Sequence, residues 1–202
     1  MKTFLFKIVS IFFIYSSLAQ ADIEELSAHE YAERTHNQII EIIQTQEQLF
    51  EENPDLFTKL ISEAFSPIVD FKRIAKNVMG KYSNQASGDQ MEAFSRAFEK
   101  SLLDTYSSTL VEFKDEKINV LPPNGNLTGQ KKIRVNIEIV TSSNTYPGTY
   151  SMYLDFEGNW KIINIEVNGM NLGKIFRNQF YSLMERNQEN LDLVIEQWVA
   201  SV

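Results

Sequence analysis

The sequence predicts an α+β fold, in which helices pack on one face of an antiparallel sheet of roughly four strands. Apolar residues recur every three or four positions in the first half of the chain and again at its end. Between Ile118 and Val167 they instead alternate with polar residues, and glycine- and proline-rich turns separate the alternating segments. The apolar sides of the two layers must be buried together, and a twisted sheet covered in this way can enclose a cone-shaped cavity.

Residues 1–21 have the pattern of a secretory signal peptide. Lys2 and Lys7 precede an apolar stretch from Ile8 to Tyr15, and Ala19-Gln20-Ala21 is a small-residue cleavage signal. The apolar stretch is shorter than the roughly 20 residues that a membrane-spanning helix needs. We therefore expect one domain comprising residues 22–202.

The composition is acidic and lacks cysteine. Lys2 and Lys7 account for two of the 19 basic residues, so the remainder carries 17 against 27 acidic residues, a net charge of −10. This charge argues against binding to nucleic acid. The absence of cysteine excludes disulfides, thiolate metal sites and a cysteine nucleophile, and an exported chain of this kind suits the bacterial periplasm.

Helical spacing accounts for the first half of the chain. A helix is predicted from Ile23 to Phe50, and Asn53-Pro54 should end it and start a short second helix. Ser66-Pro67 resembles an N-cap followed by proline in the first turn of a third helix, which Gly80 should end.

The longest predicted helix follows residue 87. Ser87 and Gln90 form a capping box. The apolar stripe behind it contains Met91, Phe94, Phe98, Leu102, Tyr106, Leu110 and Phe113.

The middle of the chain has the two-residue period of strands. Ile118 and Val120 precede the turn Pro122-Pro123-Asn124-Gly125. The next two strands present these apolar positions: Ile133, Val135, Ile137 and Ile139, and then Tyr150, Met152, Leu154 and Phe156. Turns at Pro147-Gly148 and Glu157-Gly158-Asn159 predict an antiparallel meander.

The stretch Trp160–Phe180 joins a strand to a helix. Ile163, Ile165 and Val167 alternate with polar residues, and Gly169 and Gly173 break the pattern. A helix should follow, with Ile175, Phe176, Phe180 and Leu183 on one side. The two apolar faces either pack on each other or enclose something apolar.

Catalytic motifs such as G-x-S-x-G, H-E-x-x-H, the P-loop and G-x-G-x-x-G do not occur. The only histidines, His29 and His36, are interpreted as part of a solvated helix face near Glu25 and Glu33 rather than as a metal site. Tyr153 and Asp155 could serve an isomerase-like site, but strand alternation directs them away from Met152 and Leu154.

Three segments of the sequence, here called blocks, and the last predicted helix resemble the MlaC, or toluene-tolerance, family of periplasmic phospholipid-binding proteins. The matching positions of the first two blocks are Val69-Asp70-Phe71, Ile74-Ala75, Val78-Met79-Gly80-Lys81-Tyr82, Gln90, Phe94, Phe98, Leu102-Leu103 and Tyr106. Those of the third block and the last helix are Trp160-Lys161-Ile162, Asn168-Gly169, Asn171-Leu172, Arg177, Gln179-Phe180, Leu191-Asp192 and Trp198. The chain departs from the family at Tyr82, where tryptophan is frequent, at Asn164, where aspartate is common, and at Asn187, where glycine often ends the helix.

The resemblance implies a periplasmic carrier of nuclear-transport-factor-like shape with a lipid cavity between its layers, no enzymatic activity, and no cofactor other than the phospholipid cargo. It also implies two partners, the periplasmic domain of an inner-membrane ABC transporter and an outer-membrane lipoprotein–porin complex. The side chains expected to line the cavity are Phe71, Ile74, Ala75, Val78, Met79, Phe94, Phe98, Leu102, Tyr106, Ile133, Val135, Ile137, Ile139, Tyr150, Met152, Leu154, Ile163, Ile165, Val167, Met170, Phe176 and Phe180. Arg177 is a candidate contact for the lipid phosphate, and a structural ion pair is the alternative.

Two other hypotheses remain open at this stage, an isomerase-like enzyme on a similar cone-shaped fold and an interaction protein with a filled core. The acidic composition suggests that transfer requires a protein partner at each membrane, and that salt weakens docking if those partners are basic.

Overall fold

The fold is given by a computed structural model, which describes residues 27–112 and 116–200. The helices are α1 (Ala28–Thr45), α2 (Glu47–Glu52), α3 (Pro54–Phe65), α4 (Phe71–Met79), a 3₁₀ helix (Gly80–Asn84), α5 (Gly88–Glu112), α6 (Leu172–Arg186) and α7 (Leu191–Ala200). The strands are β1 (Lys117–Val120), β2 (Lys132–Val140), β3 (Thr145–Leu154), β4 (Trp160–Val167) and β5 (Met170–Asn171). No helix within these two ranges is long and apolar enough to cross a membrane.

Three helix starts follow the local capping chemistry. Ser27 and Glu30 form a reciprocal capping box at α1, and the side chain of Asn53 accepts a hydrogen bond from the Leu56 N–H at α3. At α5 the Ser87 hydroxyl accepts from Gln90 N–H while the Gln90 side chain accepts from Ser87 N–H. The predicted Ile23–Phe50 helix is divided at Gln46 into α1 and α2, and its first residues lie outside the described ranges.

The prediction that Ser66-Pro67 starts a helix is wrong. Residues 66–68 form a turn, and Val69 pairs in parallel with Ile162 of β4. Asp70 N–H donates to the Ile162 carbonyl at 3.1 Å, and Ile162 N–H donates to the Ile68 carbonyl at 2.7 Å. Helix α4 begins only at Phe71, where the Asp70 side chain accepts from Arg73 N–H. Pairing with a distant strand therefore outweighs the local capping signal.

The strands form one antiparallel meander in the order β1-β2-β3-β4-β5. The turn predicted at Pro147-Gly148 is wrong, because both residues pair with β2 inside β3 and the chain turns at residues 141–144. The described strands thus number five rather than about four, because Met170 and Asn171 pair back onto β4. Asn168 and Gly169 make the connecting turn with φ angles of 49° and 77°, as a tight two-residue hairpin requires. Gly169 interrupts the chain as predicted, whereas Gly173 lies inside the first turn of α6.

A β-bulge interrupts the pairing of β3 with β4. Ser151 is opposite Asn164 whereas Met152 is opposite Ile162, which leaves Ile163 as the extra residue. The prediction that Ile163 begins the inward-facing series with Ile165 and Val167 is therefore wrong. Trp160 and Ile162 take the buried positions before the bulge, and Ile165 lies opposite buried Tyr150 after it.

The helices lie in layers on the apolar face of the sheet, which confirms the predicted α+β class. Helix α1 contacts β1 and β2, and α4 and α6 contact β4, while α5 packs on α4 and α7. The opposite face is polar, with Arg134 and Glu166 paired at 2.7 Å and the Thr149 hydroxyl donating to Asn136 at 3.1 Å. The core is therefore the layer between the sheet and the helices.

Gly80 ends α4 with a φ of 54°, a conformation that other residues adopt only with strain. A Cβ atom there would also collide with the Tyr181 hydroxyl, which accepts a hydrogen bond from Lys81 N–H at 3.1 Å. We expect Gly80→Ala to lower the free energy of unfolding by about 1–3 kcal/mol, measured by urea denaturation. Gly88→Ala is the matched control, because a Cβ atom added at Gly88 would have no neighbour within 4 Å. Equal stability of the two variants would contradict this account.

Candidate functional site

The candidate site is the apolar layer between the inner face of the sheet and the helices. Val135, Ile137 and Met152 of the sheet are at most 1% exposed. Helix α1 covers β1 and β2 with a buried stripe that contains Ala28, Ala32, Thr35, His36, Ile39 and Ile43. Helix α4 contributes Phe71, Ala75, Val78 and Met79 from the other side. The predicted inner wall and part of the predicted opposing wall therefore belong to one continuous core.

A buried polar pair lies within this layer. Nε2 of His36 and the Tyr150 hydroxyl are hydrogen bonded at 2.7 Å, and the rings meet edge to face. Burial lowers the pKa of His36 to about 4 and raises the pKa of Tyr150, so both groups are neutral near pH 7. Nδ1 of His36 is buried without a hydrogen-bond partner in the described structure.

The interpretation of His36 as part of a solvated face is wrong. His36 is only 9% exposed and lies on the same helical stripe as Ala32, Ile39 and Ile43. That three-to-four-residue spacing was a signal for burial in the sequence. Among the described residues, no group of three or more histidine, aspartate or glutamate side chains could hold a metal ion.

The buried histidine makes stability depend on pH. The unfolded chain, with a histidine pKa of about 6.5, binds a proton more readily than the folded protein, in which the pKa is about 4. Stability should be unaffected by His36 above pH 6.5 and should fall by about 3 kcal/mol as the pH decreases from 6.5 to 4. Urea denaturation across this range should show a flatter profile for His36→Gln. His29→Gln is the control and should have a smaller effect, since His29 is only half-buried. If the dependence of the unfolding free energy on pH were the same in His36→Gln as in the wild type, His36 would not be its origin.

The layer opens to solvent beneath the loop that joins β1 to β2. A depression of about 450 Å³ lies between the start of α1, this loop and the sheet, where Ala28, Leu127, Ile133, Leu154 and Trp160 contribute apolar surface. This volume is in the range of small-molecule pockets. A second depression of about 550 Å³ shares His29, Leu127, Gln130 and Ile133 with the first but extends over the polar face of the sheet at Lys132, Arg134, Asn136 and Ser151. We therefore refer to the first depression as the mouth.

The sequence analysis missed two contributors to the mouth. Leu127 is a partly buried apolar residue in a mostly polar loop, and it packs against the core. Trp160 is 8% exposed and lines the first depression. The isolated leucine between turn-forming residues was the available signal for the loop.

The phenylalanine side chains that α5 and α6 were predicted to contribute to the cavity pack against one another and against Trp198. Phe94 lies 4.9 Å from Phe180 and 5.2 Å from Trp198 between ring centroids, and Phe98 lies 5.4 Å from Phe176. All three pairs are edge to face. Trp198 also donates a hydrogen bond to the Ser101 hydroxyl at 2.9 Å. These rings fasten α5, α6 and α7 together, and their contact with a ligand stays a prediction.

Several other predicted positions lie at the edges of the layer. Ile74, Leu102, Ile139, Leu154 and Ile165 are partly buried and pack against the core. Val167 is partly buried opposite Gly148. Met170 is 55% exposed on β5, and Ile175 is 46% exposed on α6, so the prediction that they face inward is wrong. The side chain of Tyr106 is outside the described part of the chain.

Arg177 does not line the mouth. Its Nε donates to the backbone carbonyl of Asn77 at 2.8 Å, and the side chain is exposed. The alternative expectation of a structural ion pair is also not met within the described residues, because the partner is a carbonyl at the end of α4. Arg177 therefore links α6 to α4.

Tyr153 and Asp155, the residues considered for an isomerase-like site, both form structural hydrogen bonds. The Tyr153 hydroxyl donates to Asp70, and Arg73 lies 4.0 Å above the Tyr153 ring. Partial burial, followed by the bond to Asp70, raises the pKa of Tyr153. Asp155 lies beyond the end of β3 and accepts hydrogen bonds from the N–H groups of Glu157 and Asn159, which shapes the turn. Tyr153 lies on the face opposite Met152, as predicted.

Comparison with known proteins places this geometry in a family. The sequence model of the MlaC protein family matches residues 33–200. Over 176 residues the chain is 31% identical to the toluene tolerance protein ttg2D of Pseudomonas putida, and the alignment covers 86% of this chain and 80% of the relative.

A solved structure has the same fold. The chain superimposes with a TM-score of 0.75 on a phospholipid-binding protein from Ralstonia solanacearum, solved in complex with a phospholipid. The match covers 86% of this chain and 99% of the other, at 19% sequence identity. At that identity the likeness establishes the fold alone.

Proposed function

This chain belongs to the MlaC family, and from that membership we propose that it is a periplasmic phospholipid carrier rather than an enzyme. The observation that carries the proposal is the continuous apolar layer between sheet and helices, which opens at the mouth beside Leu127 and Trp160. The Ralstonia solanacearum protein of the same fold binds a phospholipid. The proposed cargo enters the layer with its acyl tails and keeps its phosphate in water.

The energetics of lipid hydration require deep burial of the tails. Exposure of one methylene to water costs roughly 0.8 kcal/mol, so a chain of about sixteen carbons costs on the order of 13 kcal/mol. A carrier that crosses an aqueous space must therefore cover the tails almost completely. The side chains of Val135, Ile137 and Met152 present no polar hydrogen-bonding group to such tails. We further expect Nδ1 of His36 to bond an ester oxygen of the cargo.

The tails can enter only if the two layers separate locally, because Val135 and Val78 have no exposed surface. Flexible side chains such as Met79 and Met152 suit a wall that must repack around different tails. At the start of α1, the small side chains of Ala28 and Ala32 leave little interdigitation to undo, whereas His36, Ile39 and Ile43 anchor the rest of the helix. We expect the start of α1, beside the mouth, to move away from the sheet when lipid enters.

In this proposal the carrier passes phospholipid between an outer-membrane lipoprotein–porin complex and the periplasmic domain of an inner-membrane ABC transporter, and so maintains the lipid asymmetry of the outer membrane. The family membership supports this assignment. The contacts of Tyr153 and Asp155 support binding rather than catalysis, because both groups are committed to Asp70 and to a backbone turn. Asp155→Asn should accordingly leave bound lipid unchanged.

Native mass spectrometry of gently purified protein tests the proposal. We expect a population heavier than the polypeptide by the mass of a phospholipid, and solvent extraction should release that phospholipid. Protein that carries no phospholipid, and acquires none from phosphatidylethanolamine and phosphatidylglycerol vesicles, would refute the proposed function.

A further inference from the structure

The basic residues of this acidic chain are unevenly distributed. Residues 71–88 contain Lys72, Arg73, Lys76 and Lys81, and residues 167–184 contain Lys174 and Arg177. None of the 27 acidic residues lies in either segment. A chain with a net charge of −8 therefore includes two segments that are purely cationic.

The fold brings these two segments side by side. Helix α4 packs against α6, and Arg177 Nε bonds the Asn77 carbonyl at 2.8 Å. Lys81 N–H donates to the Tyr181 hydroxyl at 3.1 Å and joins the segments at a second point. Two stretches nearly 100 positions apart in sequence thus form one surface.

Five cations of this surface are exposed, and we call them the basic face: Lys72, Lys76, Lys81, Lys174 and Arg177. Only Lys72 forms an ion pair within the described part of the chain, with Glu92 at 3.2 Å. Glu189 lies near Lys81 and Glu166 near Lys174, at the margins. Arg73 is not included, since its guanidinium stacks on Tyr153. The remaining charge is available to a partner.

The basic face also has features of a protein-binding surface. Arginine is enriched at protein interfaces, and Arg177 is the one guanidinium of the basic face. The bond from Arg177 Nε to Asn77 holds the guanidinium in place, so less freedom is lost when its other nitrogens bind a carboxylate.

We propose that the basic face docks onto an acidic surface of a membrane-bound protein that donates or accepts the lipid. This inference rests on the proposed carrier function. The acidic composition suggested basic partners, whereas the positive charge of the basic face predicts an acidic partner. An acidic protein patch can match the basic face in size. An anionic bilayer extends further and would approach Glu92, Glu185 and Glu189 at its margins, which repel it within the Debye length of about 8 Å.

Sedimentation with membranes tests the docking. Labelled full-length protein is mixed with native membranes of the source organism, with the same membranes after protease treatment, or with vesicles of phosphatidylethanolamine and phosphatidylglycerol. The test variant is Lys76→Glu with Lys174→Glu, because neither side chain has a hydrogen bond or ion pair in the described structure. The control is Lys59→Glu with Lys100→Glu, which changes the net charge equally on α3 and α5.

Wild type and control should sediment with untreated native membranes but not with protease-treated membranes or vesicles. The affinity of the test variant for native membranes should be lower by about 10-fold or more. Added salt should weaken wild-type binding. The proposal is overturned if the test variant binds like wild type, if wild type does not bind, or if binding survives protease and equals that to vesicles. Native mass spectrometry of the same preparations separates the carrier function from the docking proposal. If the protein carries phospholipid but fails the sedimentation test, the carrier function stands and only the docking proposal is refuted.

Discussion

Replacing Val135 with tryptophan is expected to reduce bound phospholipid about 10- to 100-fold. Val135 lies in the middle of β2 with no exposed surface, opposite Tyr150 and within the apolar layer. An indole ring there would fill volume that the acyl tails must occupy, and overpacking of this kind costs about 1–3 kcal/mol. Phospholipid per polypeptide, measured by extraction and mass spectrometry, is the readout.

The matched control for this substitution is Glu138→Trp, on the polar, opposite face of the same strand and outside both depressions. Both variants should give the circular dichroism of the wild type, so that loss of lipid is separated from loss of fold. Ile133→Trp is a second test that the fold should tolerate more easily, because Ile133 borders the open mouth. If both inward variants retained wild-type amounts of lipid while folded, the tails would not lie in this layer.

The largest loss of stability is expected from Trp198→Ala, at about 3–5 kcal/mol. The side chain has no exposed surface, contacts Phe94, Phe98 and Phe180, and donates to Ser101. Its removal would leave a cavity between α5, α6 and α7. The free energy of unfolding from urea denaturation measures the effect.

Two further substitutions identify the cause of that loss. Trp198→Phe should be less damaging, because a ring is retained and mainly the hydrogen bond to Ser101 is lost. Leu193→Ala, at a position 43% exposed on the same helix, should change stability much less. A Trp198→Ala protein as stable as the Leu193→Ala protein would show that α7 does not anchor the helical layer.

Periodicity predicted the layers of this fold because each element buries one side. The alternation in β2 and in β3 as far as Leu154, and the α5 stripe from Phe94 to Leu102, needed no tertiary information. Phe156, predicted to continue β3, is 96% exposed in the following turn, and the side chains of Leu110 and Phe113 lie outside the described part of the chain. The error at Ser66-Pro67 arose from tertiary pairing, since Val69 and Ile162 form a parallel bridge between residues 93 positions apart. The bulge at Ile163 has the same origin, because it depends on the register of two strands.

The candidate site was less accessible from sequence. The inner sheet wall followed from alternation. The burial of His36 could have been predicted from its spacing to Ala32, Ile39 and Ile43, but no local pattern indicates that its partner is a distant tyrosine. Its bond to Tyr150 joins residues 114 positions apart. The mouth depends on how the loop around Leu127 folds back, which no local pattern specifies.

The departures from the family pattern have structural roles of their own. The Tyr82 hydroxyl donates to Glu189 at 2.8 Å, and the Asn164 side chain accepts from Gly173 N–H at 3.0 Å at the start of α6. The Asn187 side chain donates to the Leu183 carbonyl at 2.9 Å and so caps the end of α6. None of the three lines the mouth.

The location of the acyl tails is tested most directly by a phospholipid that carries a diazirine near the end of one tail. After loading and illumination, mass spectrometry of peptides identifies the residues that the tail contacted. We predict crosslinks to the inner positions of β2, β3 and β4 and to α1 or α4, with His36, Val135 and Met152 among the candidates. Crosslinks confined to exposed side chains such as Phe156 and Met170 would contradict a carrier that buries its cargo between sheet and helices.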